Sequence, residues 1–150
     1  VKDATIPDFL KRFEAFPAVE INWLVYGSGG NKEKSSEDVM KRFRFHSLPD
    51  HYLNRHVKSI VNPRRVFTMI GCHEVARIDG KAADSHGNPI TRNFRERTPQ
   101  QDVIRINHYA VRSLEEFREK QLRGRASGTK TSVPMDYFNE YDLNDIEEKQ

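Results

Sequence analysis

The stretch that decides the fold is Ala18-Val19-Glu20-Ile21-Asn22-Trp23-Leu24-Val25-Tyr26, followed at once by Gly27-Ser28-Gly29-Gly30-Asn31. Nine residues dominated by apolar and β-branched side chains, with only Glu20 and Asn22 interrupting, predict a buried strand. The glycines that follow give the backbone maximal freedom and end the strand. Upstream, Ile6, Phe9, Leu10, Phe13 and Phe16 recur at helical spacing, with Thr5 as N-cap, Pro7 in the first turn and Pro17 as the stop. Downstream, Ser36 is placed to cap a short helix running to Phe43 and Phe45. A second short helix follows Pro49. Residues 57–61, 65–70 and 74–79 predict short strands, the first two parted by the Asn62-Pro63 turn. Residues 80–100 are polar and predict an extended loop, and 103–111 a buried strand. Ser113 with Glu116 three residues later is a capping box opening a helix that Gly124 ends. Residues 127–134 predict a flexible linker, and the acidic end, 135–150, a last short helix.

The 150 residues suit one domain, and hydrophobic residues at 36% supply a core, so wholesale disorder is excluded. No apolar run approaches the ~20 residues that cross a bilayer. Cys72 is the single cysteine, which excludes a disulfide scaffold or thiolate metal cluster and points to a reducing, cytoplasmic setting. The net charge of +3 hides an asymmetry: residues 41–125 hold 18 Lys and Arg against 9 Asp and Glu. Fifteen of the basic residues are arginines, whose planar fork suits phosphate and carboxylate. An anionic partner follows from that charge: a nucleotide diphosphate, an anionic membrane surface or, as the alternative function class, a nucleic acid. No nucleic-acid motif accompanies the basic middle, and its aromatics do not interleave with its cations, so the nucleic-acid reading ranks second.

Several self-contained sites are absent. The glycine loop lacks the third glycine of a dinucleotide fingerprint and the lysine of a phosphate loop. His73-Glu74 begins a zinc-protease pattern, but Arg77 stands where the second histidine belongs. There is no Gly-x-Ser-x-Gly elbow.

A longer constellation does hold. Asn22-Trp23-Leu24-Val25-Tyr26-Gly27-Ser28-Gly29-Gly30 is followed by Lys41-Arg42-Phe43, by Lys58-Ser59-Ile60-Val61-Asn62-Pro63, and by His73. Ile106-Asn107-His108-Tyr109 then leads into Arg112-Ser113-Leu114-Glu115-Glu116-Phe117, Lys120 and Arg123-Gly124. In content and order this resembles glycosyltransferase family 92 and its bacterial family 2-like relatives, over about residues 5–126.

The resemblance implies an α/β fold, part of a GT-A type mixed sheet flanked by helices, that moves a sugar from a nucleotide-diphosphate donor onto a carbohydrate or glycoconjugate hydroxyl. Relatives carry an upstream nucleotide-binding half ending in Asp-x-Asp. None of the ten aspartates here are two positions apart, so the chain is expected to be the C-terminal half, inactive without its N-terminal partner. The implied cofactor is Mn²⁺ or Mg²⁺, with His108 as a metal ligand. Glu37 and Asp38 are the candidate bases, near a helix start that favours the ionised form, with Asp102 a weaker third. Lys58 and Arg112 are candidates for the donor diphosphate. Trp23, Tyr26, Gly27, Ser28 and Gly30 are candidates for sugar contact. Asn31 departs from the pattern, where a histidine is common, which withholds a role from that position. Bacterial relatives place such activity in cell-surface polysaccharide synthesis, at the cytoplasmic face of a membrane.

Overall fold

The computed structural model describes residues 5–124 and 132–149. In chain order its elements are α1 (Ile6–Leu10), β1 (Ala18–Val25), α2 (Val39–Arg42), β2 (Phe45–His46), β3 (Val57–Val61), β4 (Val66–Met69), β5 (Val75–Arg77), β6 (Ile106–His108), α3 (Leu114–Arg123), α4 (Met135–Tyr141) and β7 (Ile146–Glu147). The protein is therefore a mixed α/β molecule with small sheets and short helices. Among the described residues no helix is long and apolar enough to cross a membrane. The expected linker lies largely outside the described residues.

The chain divides into two compact units, one of Val1–Leu24 and Pro49–Ile106, the other of Val25–Leu48 and Asn107–Gln150. All eight residues of β1, which belongs to the first unit but for its last residue, Val25, are buried, which explains its apolar composition. It pairs antiparallel with β3, from Ala18 opposite Val61 to Asn22 opposite Val57. Phe9 and Phe13 pack with Val19, Ile21 and Ala83 to form the core, and Ile60, Val103, Ile104 and Ile106 close around them. Thr5 caps α1 by accepting the Asp8 N–H, as its sequence predicts. The helix then tightens into a 3-10 turn at Lys11–Phe13 rather than running regularly to Phe16. The strand expected over 103–111 is ordered as a ladder only at Ile106–His108. Val103 and Ile104 are apolar because they pack on the Phe9 cluster, not because they lie in a sheet.

The second unit is held by rings. Tyr26 lies 4.8 Å from Tyr109, and Phe117 packs edge-on against Phe138 at 5.1 Å. The capping box of α3 forms in full, Ser113 accepting from the Glu116 N–H and the Glu116 carboxylate receiving the Ser113 N–H. The short helix α2 is capped by Asp38, which accepts the Met40 N–H at 2.8 Å, and not by Ser36. A two-stranded pairing of β2 with β7, Phe45 opposite Glu147 and His46 opposite Ile146, lies outside the sequence-based expectations.

Candidate functional site

In the second unit three blocks of the sequence pattern converge. The chain leaves β1 at Tyr26, whose N–H donates to the His108 carbonyl at 3.1 Å. The loop beyond Gly30 then meets the start of α3, where the Leu114 and Glu115 N–H groups donate to the Asn31 and Lys32 carbonyls at 3.2 and 3.0 Å. These bonds satisfy helix-terminal donors that would otherwise need a ligand or water. His108, the last residue of β6, is half-buried, its ring 6.2 Å from Tyr141 in an edge-on arrangement.

Beside this junction lies a cavity of about 430 Å³ lined by Lys34, Tyr109, Arg112, Glu116, Lys120 and Arg123, among others. Cations outnumber carboxylates along its wall. Lys34 binds Glu119 at 2.8 Å, and that carboxylate raises the Lys34 ammonium above its ordinary value. Lys120 donates to the Ala110 carbonyl at 2.8 Å. Arg112 is half-exposed, with Glu116 3.7 Å away, and its backbone sits at φ 58°, in the left-handed region that disfavours a side chain. A bulky residue held there is strain of the sort that clusters at binding sites. Arg112→Gly is therefore expected to leave stability unchanged or raise it by up to about 1 kcal/mol in urea denaturation. A loss beyond that would make Arg112 a structural strut rather than a ligand-facing cation.

The glycine loop makes a close approach, and the chain itself supplies the partner. The Ser28 N–H donates to the Asp142 carboxylate at 2.5 Å, and the Gly29 N–H to the Asn144 side-chain carbonyl at 2.7 Å. Gly29 and Gly30 adopt φ of 60° and 77°, which glycine tolerates, and the Gly30 N–H donates to the Ser28 hydroxyl at 3.0 Å. The Tyr26 hydroxyl donates to Glu148. Asp142, Asn144 and Glu148 carry no motif in the sequence. Their only signal is an acidic segment, which reads by itself as a solvated tail.

Glu37 and Asp38 are exposed in this unit, with Asp38 committed to the cap of α2. The described residues contain no group of three or more His, Cys, Asp or Glu that could hold a metal ion. His108 is one imidazole, so these residues do not by themselves assemble a divalent-cation site.

The other sequence candidates lie in the first unit. Lys58 donates to the Cys72 carbonyl at 2.8 Å, with its ammonium 5.5 Å from the centre of the buried Trp23 ring. Trp23 is stacked on His56 at 5.0 Å, and His73 lies 5.3 Å from the indole. Both histidines pair Nδ1 with a backbone carbonyl, His56 with Leu53 and His73 with Val57, each at 2.9 Å. A carbonyl oxygen only accepts, so Nδ1 of each ring carries a proton. Burial lowers the His56 pKa, so its neutral form is favoured. Asp102 pairs with His86 at 2.9 Å, which holds the carboxyl below its ordinary range.

The first unit also has a polar cavity of about 320 Å³, lined by Asn22, Asp84, Arg92, Glu96, Arg97 and Gln100 with their neighbours. Arg97 forms an ion pair with Glu20, whose carboxyl is raised by burial in β1 even against that cation. Asn22 donates to the Asn54 and Arg55 carbonyls at 3.1 and 3.2 Å and accepts from the Gln100 N–H at 3.1 Å. Of the two interruptions in the apolar run, Asn22 lines this cavity and Glu20 pairs with the Arg97 that does.

No family model matches the chain, and no curated protein or solved structure matches it.

Proposed function

We propose that this chain is the acceptor-side part of a GT-A type glycosyltransferase, moving a sugar from a nucleotide-diphosphate donor onto a carbohydrate hydroxyl in cell-surface polysaccharide synthesis. The observation that supports it is the convergence, in one unit, of the glycine loop, the Asn107-His108-Tyr109 segment and α3 beside a cation-rich cavity of about 430 Å³. Phosphate is the ligand such a wall suits. Arginine contacts phosphate through a planar fork and lysine as a point charge, and both offset charge on a departing diphosphate. Arg112 and Lys120 are the proposed diphosphate contacts in the second unit. Lys58 has the same proposed chemistry in the first. Of the two candidate bases, Glu37 is preferred, because Asp38 already serves as a helix cap. Tyr26, Gly27, Ser28 and Gly30 are the proposed sugar contacts of the second unit and Trp23 that of the first, aromatic rings being suited to sugar faces.

A divalent cation, when bound, would supply Lewis-acid stabilisation of the leaving group. His108 is proposed as one ligand to it, the remaining donors coming from outside the described residues. In the complete protein, His108→Ala is expected to lower turnover about tenfold or more and to raise the Mn²⁺ concentration needed for half-maximal rate. Direct titration of Mn²⁺ supplies the readout that does not depend on activity. Unchanged turnover and unchanged Mn²⁺ binding would remove His108 from the site.

A further inference from the structure

The β4–β5 hairpin of the first unit turns one face inward and leaves the other bare. Val66 and Val75 pack inward with Ala18 and Ala82. Phe67, Ile70 and Ile78 are 82%, 66% and 64% exposed, and Met69, opposite Val75 in the ladder, is 52% exposed. A shift of register between Val66 and Thr68 takes Phe67 out of the ladder, so its ring projects from the edge. Large apolar side chains gathered on one exposed hairpin mark an interaction surface, since scattered ones need no explanation and clustered ones do.

The charge around the patch selects the partner. Residues 57–81 hold five Lys and Arg against two Asp and Glu. Both acids are engaged, Asp79 by Arg65 at 2.9 Å and Glu74 by Asn93 at 3.3 Å. Arg64, Arg77 and Lys81 are exposed around the apolar residues. A second copy would bring the same cations against themselves, which disfavours self-association through this face. Nucleic acid would use the cations but gain little from Met69, Ile70 and Ile78, which offer neither a stacking face nor hydrogen bonds. A surface that is anionic outside and hydrocarbon within satisfies both halves of the patch.

We propose that the β4–β5 hairpin is an interfacial docking loop that seats Phe67, Met69, Ile70 and Ile78 in the outer hydrocarbon of an anionic bilayer, with Arg64, Arg77 and Lys81 on its headgroups. This stands on the first unit alone and is independent of the glycosyl-transfer reading. The long arginine stems cover apolar surface while their guanidinium groups stay at headgroup level. Docking of this kind needs no spanning element. Its affinity combines buried apolar area with a charge term that falls as salt rises.

The experiment is co-sedimentation of the full chain with phosphatidylcholine vesicles, with and without phosphatidylglycerol, alongside light scattering for oligomeric state. The expected result is binding to the phosphatidylglycerol vesicles only, weakened by salt. Phe67→Ser with Ile78→Ser should reduce it about tenfold or more, and Arg64→Ser with Arg77→Ser by about tenfold. All four side chains are at the surface or half-free of the core, so far-ultraviolet circular dichroism should match the unchanged chain. Should either double variant fold poorly, the single Ile78→Ser variant carries the same test. Failure of the unchanged chain to sediment with anionic vesicles would overturn the proposal. So would sedimentation unaffected by the apolar variants, or a dimer that those variants abolish.

Discussion

Arg42→Ala is expected to lower the free energy of unfolding by about 3–5 kcal/mol, which in a chain of this size moves the melting temperature by an amount on the order of 10 °C. The side chains of Arg42 and Glu116 are only 4% and 10% exposed, and they meet at 2.9 Å. The same guanidinium donates to the Ser35 and Glu33 carbonyls at 3.1 and 3.2 Å, and its carbon sits 4.6 Å from the centre of the Phe43 ring. Arg42 therefore ties the polar loop before α2 to the start of α3. Truncation removes every one of these bonds and leaves the Glu116 carboxylate, buried beside the Ser113 cap, with only the half-exposed Arg112 at 3.7 Å as a cation, which costs more than the pair itself contributes.

Acid gives the second readout for this pair. Burial alone would raise the Glu116 pKa, but hydrogen bonds from Arg42 and Ser113 outweigh it and hold the group below its ordinary 4.5. A carboxyl depressed in the folded state stabilises the fold above its unfolded pKa. That contribution is lost as pH falls through the lower, folded value. Urea denaturation of the unchanged chain should thus weaken progressively below pH about 4.5, and Arg42→Ala should show a flatter acid limb. Arg42→Met combined with Glu116→Gln keeps a capping amide and removes both charges. It is expected to recover about 1–3 kcal/mol relative to Arg42→Ala. A loss under about 1 kcal/mol for Arg42→Ala would make this an ordinary surface pair.

What the sequence made legible follows from how local each signal is. The capping box at Ser113 and Glu116 is a four-residue pattern, and it formed as read because both partners sit within about one helical turn. The strand β1 was legible because full burial leaves an almost continuous apolar run. Asn62-Pro63 parted β3 from β4 because proline restricts its neighbour locally. Non-local pairings left no such trace. Arg97 lies in a polar stretch that reads as loop, and its partner Glu20 is 77 positions away. The β2–β7 pairing spans only two residues on each side, too short for any alternation to register. The glycine loop was recognisable as a place where something approaches the backbone, but glycine does not say what. Asp142 and Asn144, 114 and 115 positions beyond the N–H groups they bind, carry no periodicity to reveal it. The candidate site divides in the same way: its blocks were legible as motifs, whereas the sorting of Trp23 and Lys58 into one unit and His108 and Arg112 into the other needed coordinates.

Gly27→Ala is the sharpest test of how the C-terminal segment is held, with an expected loss of about 3 kcal/mol. Gly27 does not have a positive φ, so alanine is acceptable to its own backbone. The obstacle is space: a Cβ there would fall far inside contact distance of the Leu143 carbonyl and the Asn144 side chain. An asparagine side chain can turn away, but a backbone carbonyl moves only with its segment. Residues 142–148 must then lift, releasing Asp142 from Ser28, Asn144 from Gly29, and the Arg44–Glu147 pair at 2.6 Å. Hydrogen exchange at the Ser28 and Gly29 amides should accelerate, and protease should cut near residue 142 where it does not cut the unchanged chain. Gly30→Ala is the control. A Cβ at Gly30 meets nothing within 4 Å, and φ of 77° costs alanine about 1 kcal/mol of backbone strain. It should destabilise modestly while leaving the Ser28 and Gly29 amides protected. Equal exchange at those amides in the two variants would show that the segment is not seated through Gly27. Selective loss in Gly27→Ala would establish that this glycine exists to admit the Leu143–Asn144 backbone, a steric requirement that no property of the loop alone imposes.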